Sequence, residues 1–214
     1  MQRLKVIVVG AGIGGLTAGV ALTQAGYEVE IYDRVSELRP VGAGISLWSN
    51  GVKVLNRFGL GEQIAAIGGQ MDSMQYRDRA GSLLNHISLQ PLIETVGQRP
   101  YPVTRADLQQ MLLEAFPGDV HLDSACVGVE DDGQKATAIF ENGHRATGDL
   151  VIAADGVRSV LRSYVLQREV SRRYAGYVNW NGLVPASESL APKNTWMLYV
   201  GEHKRASMMP VGGD

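Results

Sequence analysis

Gly10-Ala11-Gly12-Ile13-Gly14-Gly15 stands between a short apolar run and a segment of helical spacing. Glycines at 10, 12 and 15 in that setting are suited to an anion. Gly10 makes a tight turn, Gly12 lets a backbone approach a pyrophosphate, and Gly15 lets helix and strand pack closely. The helix start then offers unpaired N–H groups and positive potential to the phosphates. Asp33 closes the next apolar run about twenty residues on and can accept hydrogen bonds from a ribose diol. Arg34 follows it and either reads a 2′-phosphate, lies on an adenine ring or is solvated. Charge repulsion from Asp33 disfavours a 2′-phosphate, which favours NAD or FAD over NADP.

Three other groupings can carry chemistry. Asp149 to Ser159 holds Asp155 and Gly156 at the end of an apolar run, where open α/β folds bind ligands. The same spacing also suits a plain strand-to-helix turn. Arg105 sits at an expected helix start, where a cation is electrostatically disfavoured; it serves a ligand or is a surface residue. In Tyr177-Val178-Asn179-Trp180-Asn181-Gly182, read as a strand, Asn179 and Asn181 share one face. Those amides, with Arg205 one strand on, either line an apolar pocket or bond at the surface. The four histidines are scattered without metal spacing, so no metal is expected. Neither a Gly-x-Ser-x-Gly elbow nor a P-loop is present.

The elements that must position these residues follow from the pattern. Leu4 to Val9 predicts a buried parallel strand, Ile13 to Ala25 a helix ending at Gly26, and Val29 to Tyr32 a second strand. Residues 41–45 read as a glycine-rich loop and 51–58 as a short helix. Met71 to Arg77 and Leu83 to Ser88 predict a hairpin about Asp78-Arg79-Ala80-Gly81. Thr104 is an N-cap for a helix over 105–116, with Asp107 suited to its first turn. Strands are expected over 120–130, 136–141 and 145–154, with Asn142-Gly143 as a hairpin turn. A helix is expected to start near Ser159. The stretches 174–184 and 195–211 also read as β-structure. The fold class is therefore α/β: a Rossmann-like dinucleotide-binding domain over 1–70 plus 100–172, interleaved with a mainly antiparallel β domain over 71–99 plus 173–214.

The bulk composition agrees with a globular chain: 214 residues, 45% hydrophobic and 20% charged. A net charge of −2 gives no reason to expect a nucleic-acid or anionic-membrane partner. The apolar run at Val6 to Val9 is too short for a signal peptide, and no stretch is long enough to cross a bilayer. The single cysteine, Cys126, reads as a buried strand residue and fits a reducing cytoplasm.

Taken in order, the glycine fingerprint, Arg105 and Ala154-Asp155-Gly156 resemble the class A flavoprotein monooxygenases, the para-hydroxybenzoate hydroxylase-like group. That resemblance implies a glutathione-reductase-type FAD domain and an interleaved substrate domain. It implies FAD at Gly10, Gly12, Gly14, Gly15, Asp33, Arg34, Arg105, Asp155 and Gly156, with the Asp-Gly motif also serving NAD(P)H. Within the group, Pro40 to Trp48, Arg172 to Gly182 and Gly201 to Pro210 are most similar to FAD-dependent urate hydroxylases. By that likeness Ser46 and Val127 line FAD, while Asn179 and Arg205 hold urate and Arg205 keeps the anionic purine bound and electron-rich. The implied reaction takes urate, NADH and O₂ to 5-hydroxyisourate through a flavin hydroperoxide. A related enzyme acting on another aromatic acid, such as salicylate or a hydroxynicotinate, and a catalytically silent dinucleotide-binding piece are the competing readings.

The family runs further than 214 residues, so the chain resembles its amino-terminal half, ending in an apparent turn at Gly212-Gly213-Asp214. The family's later Gly-Asp motif and a tyrosine partner for Arg205 have no counterpart. Asp33 stands where glutamate is commoner, and Ser49 where proline is expected.

Overall fold

The structure is a computed structural model that describes residues 3–38, 42–185, 187–188 and 190–212. In chain order the elements are β1 (Lys5–Val9), α1 (Ile13–Gln24), β2 (Glu28–Tyr32), β3 (Gly44–Leu47), α2 (Ser49–Arg57), α3 (Gly61–Ile67), β4 (Ser73–Asp78), β5 (Leu83–Ser88), α4 (Gln90–Val96), β6 (Tyr101–Thr104) and α5 (Arg105–Ala115). They continue with β7 (Val120–His121), β8 (Cys126–Asp131), β9 (Ala136–Phe140), β10 (Arg145–Gly148), β11 (Leu150–Ala153), a 3₁₀ turn (Gly156–Arg158), α6 (Arg162–Leu166), β12 (Thr195–Gly201) and β13 (Lys204–Met208). Contacts divide the chain into one unit of residues 1–39 with 109–179 and another of 40–108 with 180–214.

The first unit is built on a parallel sheet of order β11-β1-β2-β7 and an antiparallel sheet of order β10-β9-β8. The Val6–Val9 run is buried, as a strand covered on both faces requires. α1 lies close to β2 because Gly19 has no side chain: a Cβ there would sit 2.7 Å from Ile31 Cδ1. Ile7, Val9, Tyr32, Ala138, Phe140, Ala146 and Leu161 form one core cluster. Burying a side chain of Ile or Phe size stabilises by about 1.5–3 kcal/mol.

The second unit carries a sheet of order β13-β12-β4-β5 and a β3-β6 pair. β4 and β5 form the expected hairpin, and β12 adds to β4 in parallel, Thr195 opposite Ser73. Asp72 fixes that junction. Its N–H donates to Asn194 O, its carboxylate accepts from Asn194 Nδ2 at 3.0 Å, and it pairs with Arg99. Met71, Met74, Leu89 and Leu198 form this unit's cluster, with Trp48, Tyr76, Ile93 and Trp196 packed against it.

Several expectations are corrected. The 41–45 loop ends early, because Gly44 and Ile45 pair with Thr104 and Val103 in β3-β6; Pro40 and Val41 lie outside the described residues, as do Gly213 and Asp214 of the expected final turn. The 120–130 run is two strands in different sheets, broken where Asp123 takes φ 52. The 145–154 run also changes sheet, at Asp149, whose carboxylate accepts the Lys5 N–H and pairs with Lys135. Helix α6 starts at Arg162 rather than near Ser159. Residues 174–184 form no strand, so the alternation expected of Asn179 and Asn181 does not apply; Trp180 between them is 90% exposed. Helices α3 and α4 and strand β6 are additional to the sequence reading.

Candidate functional site

In the first unit the fingerprint glycines divide into two kinds. Gly10 takes φ 111, and a Cβ there would lie 2.4 Å from Ala154 O. A Cβ on Gly15 would lie 1.8 Å from Gly10 O. Both are glycine because protein atoms fill the space. Gly12 and Gly14 face open space, with nothing within 4 Å of a Cβ, and Gly12 has an ordinary φ of −74. Nothing internal to the fold demands glycine at these two positions. They leave the backbone bare at the start of α1, which has neither a side-chain cap nor an acidic residue in its first turn. Such an end is suited to an anion.

Asp33 stands at the end of β2 and braces this turn. Its Oδ2 accepts the Ala11 N–H at 2.6 Å and its Oδ1 accepts the Val35 N–H at 3.1 Å. A carboxylate has about four acceptor positions, so capacity remains for a ribose diol. The Asp33 backbone is held on both sides, its N–H donating to His121 O and its C=O accepting from Ser124 N–H. Arg34 beside it is exposed. Gln109, which the sequence reading missed, donates from Nε2 to Ala11 O at 2.9 Å and secures the turn from α5. No sequence signal distinguishes it from its neighbour Gln110.

Asp155 follows β11 and is brought against the fingerprint, since Gly10 packs on Ala154 O and Asp155 N. Its Oδ2 accepts the Val160 N–H at 2.8 Å, while its Oδ1 is buried without a hydrogen-bond partner. A buried acceptor left unpaired costs about 1–3 kcal/mol, which a ligand hydroxyl or bridging water would relieve. Gly156 takes φ 77 with open space at its Cβ position. Arg162 steadies the turn, Nη2 donating to Gly156 O at 3.1 Å and Val157 O at 3.0 Å.

Val127 lies where the β8-β9 register shifts between Cys126 and Gly128, and is 57% exposed. A bulge of this kind turns one residue out of the ladder. Cys126 is half-buried, and burial pushes its thiol pKa up, so it is not an activated nucleophile. Asn179 is exposed on irregular chain.

In the second unit, Ser46 lies in β3 opposite Pro102. Arg105 begins α5; its N–H donates to Ala43 O at 3.0 Å, and its side chain crosses Gly42, where a Cβ would meet Arg105 Cδ at 2.9 Å. The helix start is secured without it. Thr104 Oγ1 accepts the Asp107 N–H at 3.0 Å and donates to Asp107 Oδ2 at 2.6 Å. Arg205 projects from β13 opposite Val200, exposed and with no ion pair among the described residues. Among the described residues there is no histidine, cysteine or carboxylate cluster fit for a metal, and no helix is long and apolar enough to cross a membrane.

The first unit thus has a bare glycine turn, two carboxylates at strand ends and the unsatisfied acceptor Asp155 Oδ1, donors and acceptors that fit an adenine dinucleotide. Compared with known proteins, residues 3–213 match the family described as FAD binding domain. The chain is 50% identical over 215 residues to the FAD-dependent urate hydroxylase of Mycolicibacterium vanbaalenii, covering 99% of this chain and 54% of that protein. It is 50% identical over 210 residues to the enzyme of the same name from Klebsiella pneumoniae, covering 97% of this chain and 55% of that one. The crystal structure of Klebsiella pneumoniae HpxO complexed with FAD and uric acid superimposes with a TM-score of 0.90 at 46% identity, over 97% of this chain and 53% of that one. The chain spans about half the length of the curated relatives it matches.

Proposed function

The chain belongs to the FAD binding domain family, and from that premise we propose that it serves a flavoprotein monooxygenase that hydroxylates urate at C5 with NADH and O₂. The observation that carries the cofactor half is the open space at Gly12 and Gly14, together with the unpaired Asp155 Oδ1 on the turn whose backbone packs against Gly10. The substrate half is supported by 46% identity to a structure that holds FAD and uric acid.

FAD, when bound, supplies the redox chemistry, passing two electrons from NADH to O₂. One oxygen atom enters urate at C5 to give 5-hydroxyisourate, and the other leaves as water. The residues of this chain bind and orient. The bare N–H groups at the start of α1 meet the pyrophosphate, and Asp33 takes the ribose hydroxyls with its spare acceptor positions. The Asp155–Gly156 turn, held by Arg162, offers a second acceptor. Gly14, Gly15, Arg34 and Val127 complete the first unit's share, and Ser46 and Arg105 are the second unit's. The guanidinium of Arg205 can hold an anionic purine by two parallel hydrogen bonds, and Asn179 can offer it an amide. No residue of the chain is asked to act as general acid or base.

The test is NADH oxidation by the flavin-loaded protein, with and without urate and with mass analysis of the product. Stimulation by urate with one added oxygen supports the reading. Stimulation by a benzoate such as salicylate, with none by urate, contradicts it.

A further inference from the structure

We infer, on the reading that FAD binds at the fingerprint, that Gln109 is a positioning residue for the cofactor: its amide fixes the Ala11–Gly12 peptide so that the Gly12 N–H is presented to the pyrophosphate. The backbone of this turn is almost fully accounted for. The Gly10 N–H donates to Tyr32 O at 2.7 Å, and the Ala11 N–H donates to Asp33 Oδ2 at 2.6 Å. The Gly12 C=O accepts the Leu16 N–H at 3.0 Å and so belongs to the first turn of α1. The Ala11 C=O accepts from Gln109 Nε2 at 2.9 Å. Among the described residues the Gly12 N–H has no acceptor, and Gly12 is exposed.

A peptide unit is planar and trans, so its C=O and N–H point in opposite directions. With the Ala11 oxygen drawn to Gln109, the Gly12 N–H of the same unit faces away from that side chain. The bond is needed because glycine gives the unit freedom to turn over, and open space at Gly12 offers nothing to stop it. A donor aimed before the ligand arrives spares the ligand the cost of ordering it. Gln109 and the turn belong to the same unit yet stand 98 residues apart, so no local turn preference supplies this bond. The neighbouring Gln110 has the same side chain but is exposed, and it donates to Glu114 Oε1 at 2.8 Å within its own helix.

The experiment measures FAD affinity by flavin fluorescence for the parent chain, Gln109→Leu, Gln109→Glu and Gln110→Leu, with denaturation midpoints alongside. Gln109→Leu keeps most of the volume and removes the donor. It is expected to weaken FAD binding by roughly fivefold or more, while Gln110→Leu leaves it unchanged. Gln109→Glu sets an acceptor-only carboxylate against Ala11 O at about pH 8 and is expected to weaken binding at least as much. Protonation returns an O–H donor, so its deficit relative to the parent should shrink toward about pH 5, whereas that of Gln109→Leu should not. A merely structural role gives no such recovery. Unchanged affinity in Gln109→Leu, a constant deficit in Gln109→Glu across this pH range, or an equal loss in Gln110→Leu would overturn the inference alone. A folded parent chain that binds no FAD would overturn the proposed function and this role together, so the two failures are distinct.

Discussion

Gly12 and Gly15 belong to one fingerprint but are glycine for opposite reasons, and mutation separates them. At Gly15 the space is filled by Gly10 O, so Gly15→Ala is expected to destabilise the chain by more than about 2 kcal/mol, read as a lower denaturation midpoint. At Gly12 the space is open and φ is ordinary, so Gly12→Ala is expected to leave stability within about 0.5 kcal/mol while weakening FAD binding by roughly tenfold or more. Arg205 allows a parallel test. If it anchors the purine, Arg205→Ala removes a charged hydrogen bond of about 1.5–3 kcal/mol, raising the urate KM by roughly 10- to 150-fold with little change in FAD affinity. An unchanged KM would remove Arg205 from the site. At this scale the glycines were legible because their spacing is fixed by turn geometry. Gln109 was not, because a polar residue on a helix face carries no mark of the carbonyl it reaches.

Element boundaries turn on local bonds, and two of these can be measured. Thr104 and Asp107 satisfy each other at the start of α5, so Thr104→Ala should cost about 1 kcal/mol in a denaturant titration. Tyr32, at the end of β2, is stacked between His121 and Phe140 and donates to Glu30 Oε2 at 2.8 Å. Burial, then the bond and charge of Glu30, push its phenol well above the ordinary value of 10. The folded state therefore favours the neutral phenol. That contribution is complete below pH 10 and is lost as pH rises beyond it, where the unfolded chain ionises first. Tyr32→Phe is expected to flatten the alkaline fall in stability, and one tyrosine should resist ionisation in an absorbance titration of the native protein. An equal alkaline slope in both proteins would contradict this account. Partial burial works against the charge of Glu30, but hydrogen bonds from Lys5 and Tyr32 outweigh it and hold the carboxyl below its usual range.

The β-α-β opening and the hairpins at 73–88 and 136–148 were legible, because apolar period and turn residues are local signals. The sheet changes at Asp123 and Asp149 were not, because hydrophobic pattern does not say which neighbour a strand pairs with. The irregular course of 174–184 was not either, since Tyr174 to Val184 has strand composition while lying exposed.

On the scale of the whole molecule, the chain joins two units whose sheets are built from pairings distant in sequence, β1 with β11 and β4 with β12. Each unit therefore depends on residues more than 100 positions apart, and a core substitution in β1 or β4 should unfold its whole sheet rather than one hairpin. The glycine fingerprint, Asp33 and the Asp155–Gly156 turn all belong to the first unit. The most direct test of this account is an FAD titration of the 214-residue chain beside Gly12→Ala, followed by flavin fluorescence. The account predicts one FAD bound per chain, with affinity reduced by roughly tenfold or more in a variant that stays as stable as its parent. A folded chain that binds no FAD, or binding that Gly12→Ala leaves unchanged, would contradict it.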